Sequence, residues 1–288
     1  MRSLAEFIMR GRTQAAIVAV IGIPVISPAA VALFFLRHGA KYSLPVFLAT
    51  LLPVLTLVIF GFTGVFRGML GVGYLLTVTL SALMLRWSQS WSLTLVTVVV
   101  SSLVAMLITG VMAKAELQVS LASTQEFLES FKTDIAENGG DVSQVDLSIG
   151  SYWQILGGLA SFTAIASVLT LALARWWQAI LYNPGGFKKE FLALVLHPPI
   201  AMACTLAMLA CYMISDSTAA WAGLFMMPLF ISGVALVHWY GNQKGLETPW
   251  YVMFYAVLII IPPLKPFIST VAVLDSFLNL RGRYAPKP

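Results

Sequence analysis

Apolar runs close to twenty residues long, each ended by a short polar, basic or glycine-rich interval, recur along most of the chain. A run of that length forms a helix able to cross a hydrocarbon core of roughly 30 Å. The runs cover residues 15–36, 44–66, 68–85, 91–113, 152–174, 198–215 and 221–239, with a last one from 250 onward. They predict an all-α fold: a polytopic transmembrane helical bundle of about eight spans, with proline-broken helices and interfacial helices, in a single integral membrane domain over residues 1–288. Pro228 falls inside the 221–239 run, and proline clusters at Pro24 and Pro28 in the first run and at Pro262, Pro263 and Pro266 in the last. Proline removes a backbone donor and clashes with the preceding turn, so both clusters predict breaks whose freed polar groups need protein or water. A broken span and a re-entrant segment both fit that pattern.

The intervals carry elements of their own. Before the first run, Leu4, Phe7 and Ile8 share a helical face ringed by Arg2, Arg10 and Arg12, which predicts a short interfacial helix, with an ordered tail as the alternative. Ala30-Val31-Ala32 has the look of a signal-peptide cleavage site, but Leu33 to Leu36 continue the apolar run past it and favour a retained span. Beyond residue 113, Leu117, Leu121, Thr124, Leu128, Phe131 and Ile135 step by four and three, predicting that helix continues outside the bilayer as far as Gly139-Gly140. Ser123 with Glu126 is alternatively a capping pair for a fresh helix. The carboxylates Glu116, Glu126, Glu129, Asp134, Glu137, Asp141 and Asp146 face Lys132 alone, so residues 114–150 form an acidic extramembrane helical loop whose spacing departs from a calcium loop.

The most locally specific stretch runs from Leu181 to Phe191. A helix from Tyr152 to Tyr182 reaches about 45 Å, so its last turns pass beyond the hydrocarbon, where Arg175, Trp176, Trp177 and Tyr182 suit the headgroup zone. Asn183-Pro184-Gly185-Gly186 closes it, because Pro184 disfavours a helical Asn183 and the glycines supply the positive φ of a sharp reversal. Phe187, Phe191 and Leu194 then predict a second interfacial helix, its apolar face on the membrane and Lys188 and Lys189 at the phosphates.

Composition agrees: 59% of residues are hydrophobic and 10% charged, against about 25% charged in soluble domains. The net charge of +5 comes from cations scattered at run ends, which suits lipid headgroups and topology and argues against nucleic acid. With eight spans those cations divide almost evenly between the two sides. Re-entry of the first or last run would instead put the acidic loop outside and Lys188 and Lys189 inside. Cys204 and Cys211, seven apart on one helix, are too far apart to bridge and lack zinc-type neighbours, which makes them small core residues. His38, His197 and His238 end separate runs as interfacial hydrogen-bonding residues. No zinc helix, nucleophile elbow or phosphate loop occurs, so the expectation is no enzyme, no catalytic residue, no cofactor, no metal site and no ATPase in this chain.

Three charges within or beside apolar runs stand out. Gly64, Gly68 and Gly71 recur at three and four residues and form a groove for close packing, and Arg67 beside them is either a bystander or an anion contact at a cavity edge. Lys265 and Asp275 lie inside the last run, where a charge is costly and faces a partner or water. On one straight helix they sit about 15 Å apart, too far to pair, so the helix folds back or each has another partner. Lys265 alternatively snorkels from a short half-helix.

The turn Asn183-Pro184-Gly185-Gly186-Phe187 with Lys188-Lys189-Glu190-Phe191, the opening Phe7-Ile8-Met9-Arg10-Gly11-Arg12 and the closing Leu274-Asp275-Ser276-Phe277 with Arg281 resemble the YybS-like family of bacterial membrane proteins, itself of unknown function. That family is similar in turn to the substrate-capture subunits of energy-coupling-factor transporters, which borrow ATPases from partner subunits. The resemblance implies a multi-pass protein of the bacterial inner membrane, with lipid, a small-molecule solute and a partner membrane subunit as its partners. Ala15 and Ala19 have the spacing of the small residues that contact the coupling subunit. The expected function is small-solute binding or transport, in a cavity bordered by Arg67, the broken last run and the 183–191 turn. A non-transporting membrane scaffold is the alternative.

Overall fold

Inside a bilayer, backbone polar groups find no water, so apolar chain folds into elements that satisfy them internally. In the computed structural model, which describes residues 1–21, 25–137 and 150–284, the described residues form helices joined by short turns. The expected helix stop at Gly139-Gly140, together with Pro24, Asp141 and Asp146, lies outside those residues. In chain order the helices are α1 (Arg2–Met9), α2 (Arg12–Val20), α3 (Ile26–His38), α4 (Ala40–Ile59), α5 (Val65–Ser88), α6 (Trp91–Met112), α7 (Lys114–Glu137) and α8 (Tyr152–Tyr182). They continue as α9 (Gly186–Leu192), α10 (Pro198–Ile214), α11 (Asp216–Ala219), α12 (Ala222–Gln243), α13 (Thr248–Ile260), α14 (Leu264–Leu278) and α15 (Leu280–Tyr284).

The first apolar run is not a span. Ser27 donates to the Val18 carbonyl at 3.0 Å, while the Arg12 guanidinium stacks 3.7 Å from the Tyr42 ring at the start of α4. The start of α2 therefore lies beside the end of α3, and the two helices form a hairpin that enters and leaves on one side. Ala29 to Leu36 of α3 are almost wholly buried, because a returning helix is surrounded by protein. Ala15 and Ala19 are buried within the fold at 0% and 1%.

The last run behaves alike. α13 and α14 meet at 116° across Ile261 to Pro263, where two consecutive prolines deny the helix its donors. Both outer ends of this pair return to one place: Tyr251 stacks on His238 of α12, and Arg281 beyond α14 bonds the Leu192 and Leu194 carbonyls.

These two returns correct the expected span count. Five helices, or six with the bent pair, are long and apolar enough to cross a membrane, not about eight. α4, α5, α6, α8 and the 216–243 segment make up the five. The shorter α10 also links the two ends, its start bonded to Ser92 through the His197 amide and its end to Thr218 through the Cys211 carbonyl. A Ser215–Thr218 capping box starts α11.

Cations gather at one end. Arg2, Arg10, Arg12, Arg37, Lys41, Arg86, Arg175, Lys188, Lys189, Lys244, Arg281 and Arg283 belong to the end where α3, α5, α8 and α12 finish, together with the carboxylates Glu6, Glu190, Glu247 and Asp275. The opposite end holds Arg67, Lys114 and Lys132 with Glu116, Glu126, Glu129 and Asp216. We call these the basic and acidic ends.

At the acidic end α7 is one continuous helix, so Ser123 and Glu126 cap nothing, and Ser123 bonds back to the Ser120 carbonyl. The Glu116 carboxylate accepts from the Phe66 amide at 3.0 Å and caps α5, placing a negative charge at a positive helix terminus. A Cβ on Gly64 would collide with that carboxylate. Gly68 accommodates Val58 of α4, which is the packing role of the expected groove. Of the α7 stripe, Leu117 alone is buried, and Phe127 and Phe131 stack on each other in the open.

Candidate functional site

At the basic end α8 closes as its residues dictate. Asn183 is extended at φ −150° and ψ 72°, Gly185 takes φ +82°, and the Gly186 amide donates to the Asn183 carbonyl at 2.9 Å. A Cβ on Gly186 would strike the Asn183 amide group, so the turn needs glycine twice for different reasons. Glu190 anchors the following α9: it takes a bidentate ion pair from Arg175 and a bond of 3.3 Å from the Trp91 indole. Because that pair is about a fifth to a third exposed, its contribution is modest and mainly fixes the direction of α9.

The expectation that Phe187 and Phe191 lie on the membrane is overturned. They stack on each other at 6.2 Å, with Phe187 edge-on to Trp91 and Phe191 edge-on to His238, so the apolar face of α9 is turned onto the bundle. Sequence periodicity finds the face of a short helix and is blind to whether lipid or protein covers it.

His238 is the centre of what α9 covers. Its ring stacks on Tyr251 at 4.5 Å and 14°, and its Nε2 is 2.8 Å from the Tyr255 hydroxyl. Two cavities share Lys188, Phe191 and His238 as a common wall. One, of about 680 Å³, opens towards Asn242, Glu247 and Thr248; the other, of about 750 Å³, is bordered by Arg2, Trp176, Pro184, Gly185, Phe187 and Tyr255. Both fall in the size range of small-ligand sites with aromatic residues in their walls; the second is mostly apolar, whereas Lys188, His238, Asn242, Glu247, Thr248 and Tyr251 make the first markedly polar.

Of the residues expected at a site, Pro184 and Gly185 line a cavity, while Asn183 and Gly186 shape the turn. Arg67 is exposed at the acidic end and borders none of the cavities described, so it is not the anion contact of this site. Lys265 is exposed beside the α13–α14 break. Asp275 and Lys265 do not meet. Asp275, 1% exposed, pairs instead with Arg281 at 3.0 Å. Arg281 also donates to the carbonyls of Leu192, Leu194 and Ser232. Burial lowers the Arg281 pKa, and the charge and hydrogen bond of Asp275 act in the opposite direction. This is a latch holding α14 and α15 against the linker after α9. Tyr251, Tyr255 and Arg281 had no sequence signal tying them to the turn.

α13 closes one side of the site with little packing. Leu258 is its only buried residue, and its hold on the bundle runs through the His238, Tyr251 and Tyr255 cluster. Among the described residues no three His, Cys, Asp or Glu side chains come together as metal ligands. Comparison with protein-family models, curated proteins and solved structures finds no match.

Proposed function

We propose that this multi-pass membrane protein binds a small anionic solute with an apolar or planar body in the double cavity beneath α9, and moves it without an ATPase of its own. The observation that carries the reading is His238 in the wall common to both cavities, with Lys188 in that wall and aromatic rings around it. Arg2 at one rim is paired with Glu6, and Glu247 lines only the first cavity, so Lys188 supplies the charge complementarity, rings supply apolar contact, and the imidazole and Tyr255 hydroxyl supply directional hydrogen bonds. α13, thinly packed and hinged at Pro262-Pro263, is the element able to open, since weakly packed segments move most readily.

The positive-inside rule makes the basic end cytoplasmic and the acidic helix α7 external, in a bacterial inner membrane. The motif residues that resemble the YybS-like family support kinship with it, and any energy source belongs to a partner subunit. A scaffold role is the second reading, favoured by the exposed Phe127–Phe131 face of α7.

Mass spectrometry of small molecules retained by the purified protein tests the proposal. The wild type and Arg67→Ala, remote from the cavities, are expected to retain the same anionic compound, and His238→Leu to lose it. Absence of any retained solute, or equal retention by His238→Leu, would sink the reading and leave the scaffold.

A further inference from the structure

Away from the α9 cavities, a pocket of about 390 Å³ lies at the basic end between α3, α5 and α8, lined by Arg37, Arg86, Arg175, Gln89 and Gln178 with Leu36 and Leu85 beneath. Three arginines from three separate helices therefore line one small cavity, and no Asp or Glu lines it. Arg175 is neutralised by Glu190 and held by the Gln178 side chain. Arg86 is held by a single terminal nitrogen, which donates to the Leu36 and Arg37 carbonyls at 2.7 and 2.6 Å. Those carbonyls end α3, where the helix dipole favours a cation.

What remains unused is the informative part. Among the described residues, Nε and Nη2 of Arg86 and the whole fork of Arg37 have no protein acceptor; Arg37 instead rests its guanidinium 4.2 Å from the Tyr182 ring. Two cations are thus positioned together with spare donors, and two side-chain amides stand beside them. Like charges held close repel unless a counterion joins them, and planar forks are suited to bidentate binding of an oxyanion. Gly39 helps to set the arrangement: at φ +79° it ends α3, and a Cβ there would lie 3.2 Å from Arg86 Nε.

We propose that this pocket is a binding site for a phosphate-class oxyanion, either the phosphodiester of an anionic lipid headgroup or free phosphate. Arg37 and Arg86 contact the anion through their unused N–H groups, with Gln89 and Gln178 as neutral donors. The pocket opens at the level where α8 carries Trp176 and Tyr182, the depth at which headgroup phosphates lie. It is separate from the α9 cavities and does not rest on the solute reading.

The test uses the full chain in a neutral detergent. In one arm, inorganic phosphate is titrated against chloride at equal ionic strength and the melting temperature followed. In the other, native mass spectrometry compares retention of phosphatidylglycerol and phosphatidylcholine. A phosphate-specific rise in melting temperature identifies free phosphate as a ligand; retention of phosphatidylglycerol alone identifies the lipid headgroup. In either case Arg37→Gln, which removes a fork resting only on Tyr182, is expected to weaken binding about tenfold. Arg37→Lys keeps the charge without the fork and controls for folding, with an unchanged ligand-free melting temperature and intermediate binding. No response of the wild type to either probe, or full binding by Arg37→Gln, overturns the proposal.

Discussion

The Asp275–Arg281 latch offers a test in which the order of three variants, rather than one loss, carries the reasoning. In Arg281→Met the aliphatic volume is kept, but the Asp275 carboxylate, 1% exposed, loses its cation. Breaking a buried pair from one side costs about 3–5 kcal/mol, because the remaining charge stays desolvated. The carbonyls of Leu192 and Leu194 lose donors as well, each about 1 kcal/mol. Asp275→Leu leaves Arg281 bonded to those carbonyls and lowers stability less. The double variant Asp275→Leu with Arg281→Met removes both charges, and since apolar replacement of a buried pair is often neutral, its loss reduces to the carbonyls, about 1–3 kcal/mol. The double variant is therefore more stable than Arg281→Met alone by roughly 4 kcal/mol, a coupling measurable by a double-mutant cycle. Unfolding by sodium dodecyl sulfate titration in mixed micelles, followed by tryptophan fluorescence, provides the assay. A double variant as unstable as the sum of the singles would refute the view that the pair is a desolvated charge latch.

Glycine substitutions separate backbone contact from open space. Gly233→Ala places a Cβ 2.5 Å from the Ile268 carbonyl oxygen, where backbone cannot yield, and lowers stability by about 1–3 kcal/mol, whereas Gly158→Ala, with nothing within 4 Å, is neutral or gains up to about 1 kcal/mol in the same unfolding assay. Gly186→Val reduces folded protein on gel filtration by colliding with Asn183, while Lys188→Gln leaves the folded yield unchanged. For sidedness, single cysteines replacing Ser123 or Gln243, in a background with Cys204 and Cys211 changed to alanine, are expected to react differently with an impermeant maleimide. Ser123→Cys labels in intact cells and Gln243→Cys only after permeabilisation; the reverse would invert the topology.

The amino-acid sequence by itself determined the class and the local shapes. Runs of apolar residues in a bilayer must be helical, since no other open chain satisfies its backbone there. The 183–186 turn was legible to the residue, because proline and glycine act on their own φ and ψ and need no distant partner. The apolar faces of α1 and α9 were legible too, but not what covers them.

Tertiary structure alone decided which way the chain goes after its proline breaks. Hydropathy is the same for a helix that continues and one that turns back, so only the contacts of Arg12 with Tyr42 and of Tyr251 with His238 make the first and last runs hairpins. That one difference gathers most of the cations at a single end, where an eight-span count divides them almost evenly. It also joins Asp275 to Arg281, closes α13 over His238 and brings Arg37, Arg86 and Arg175 around one pocket. The last grouping joins residues from helices far apart in the chain, so no local pattern encodes it.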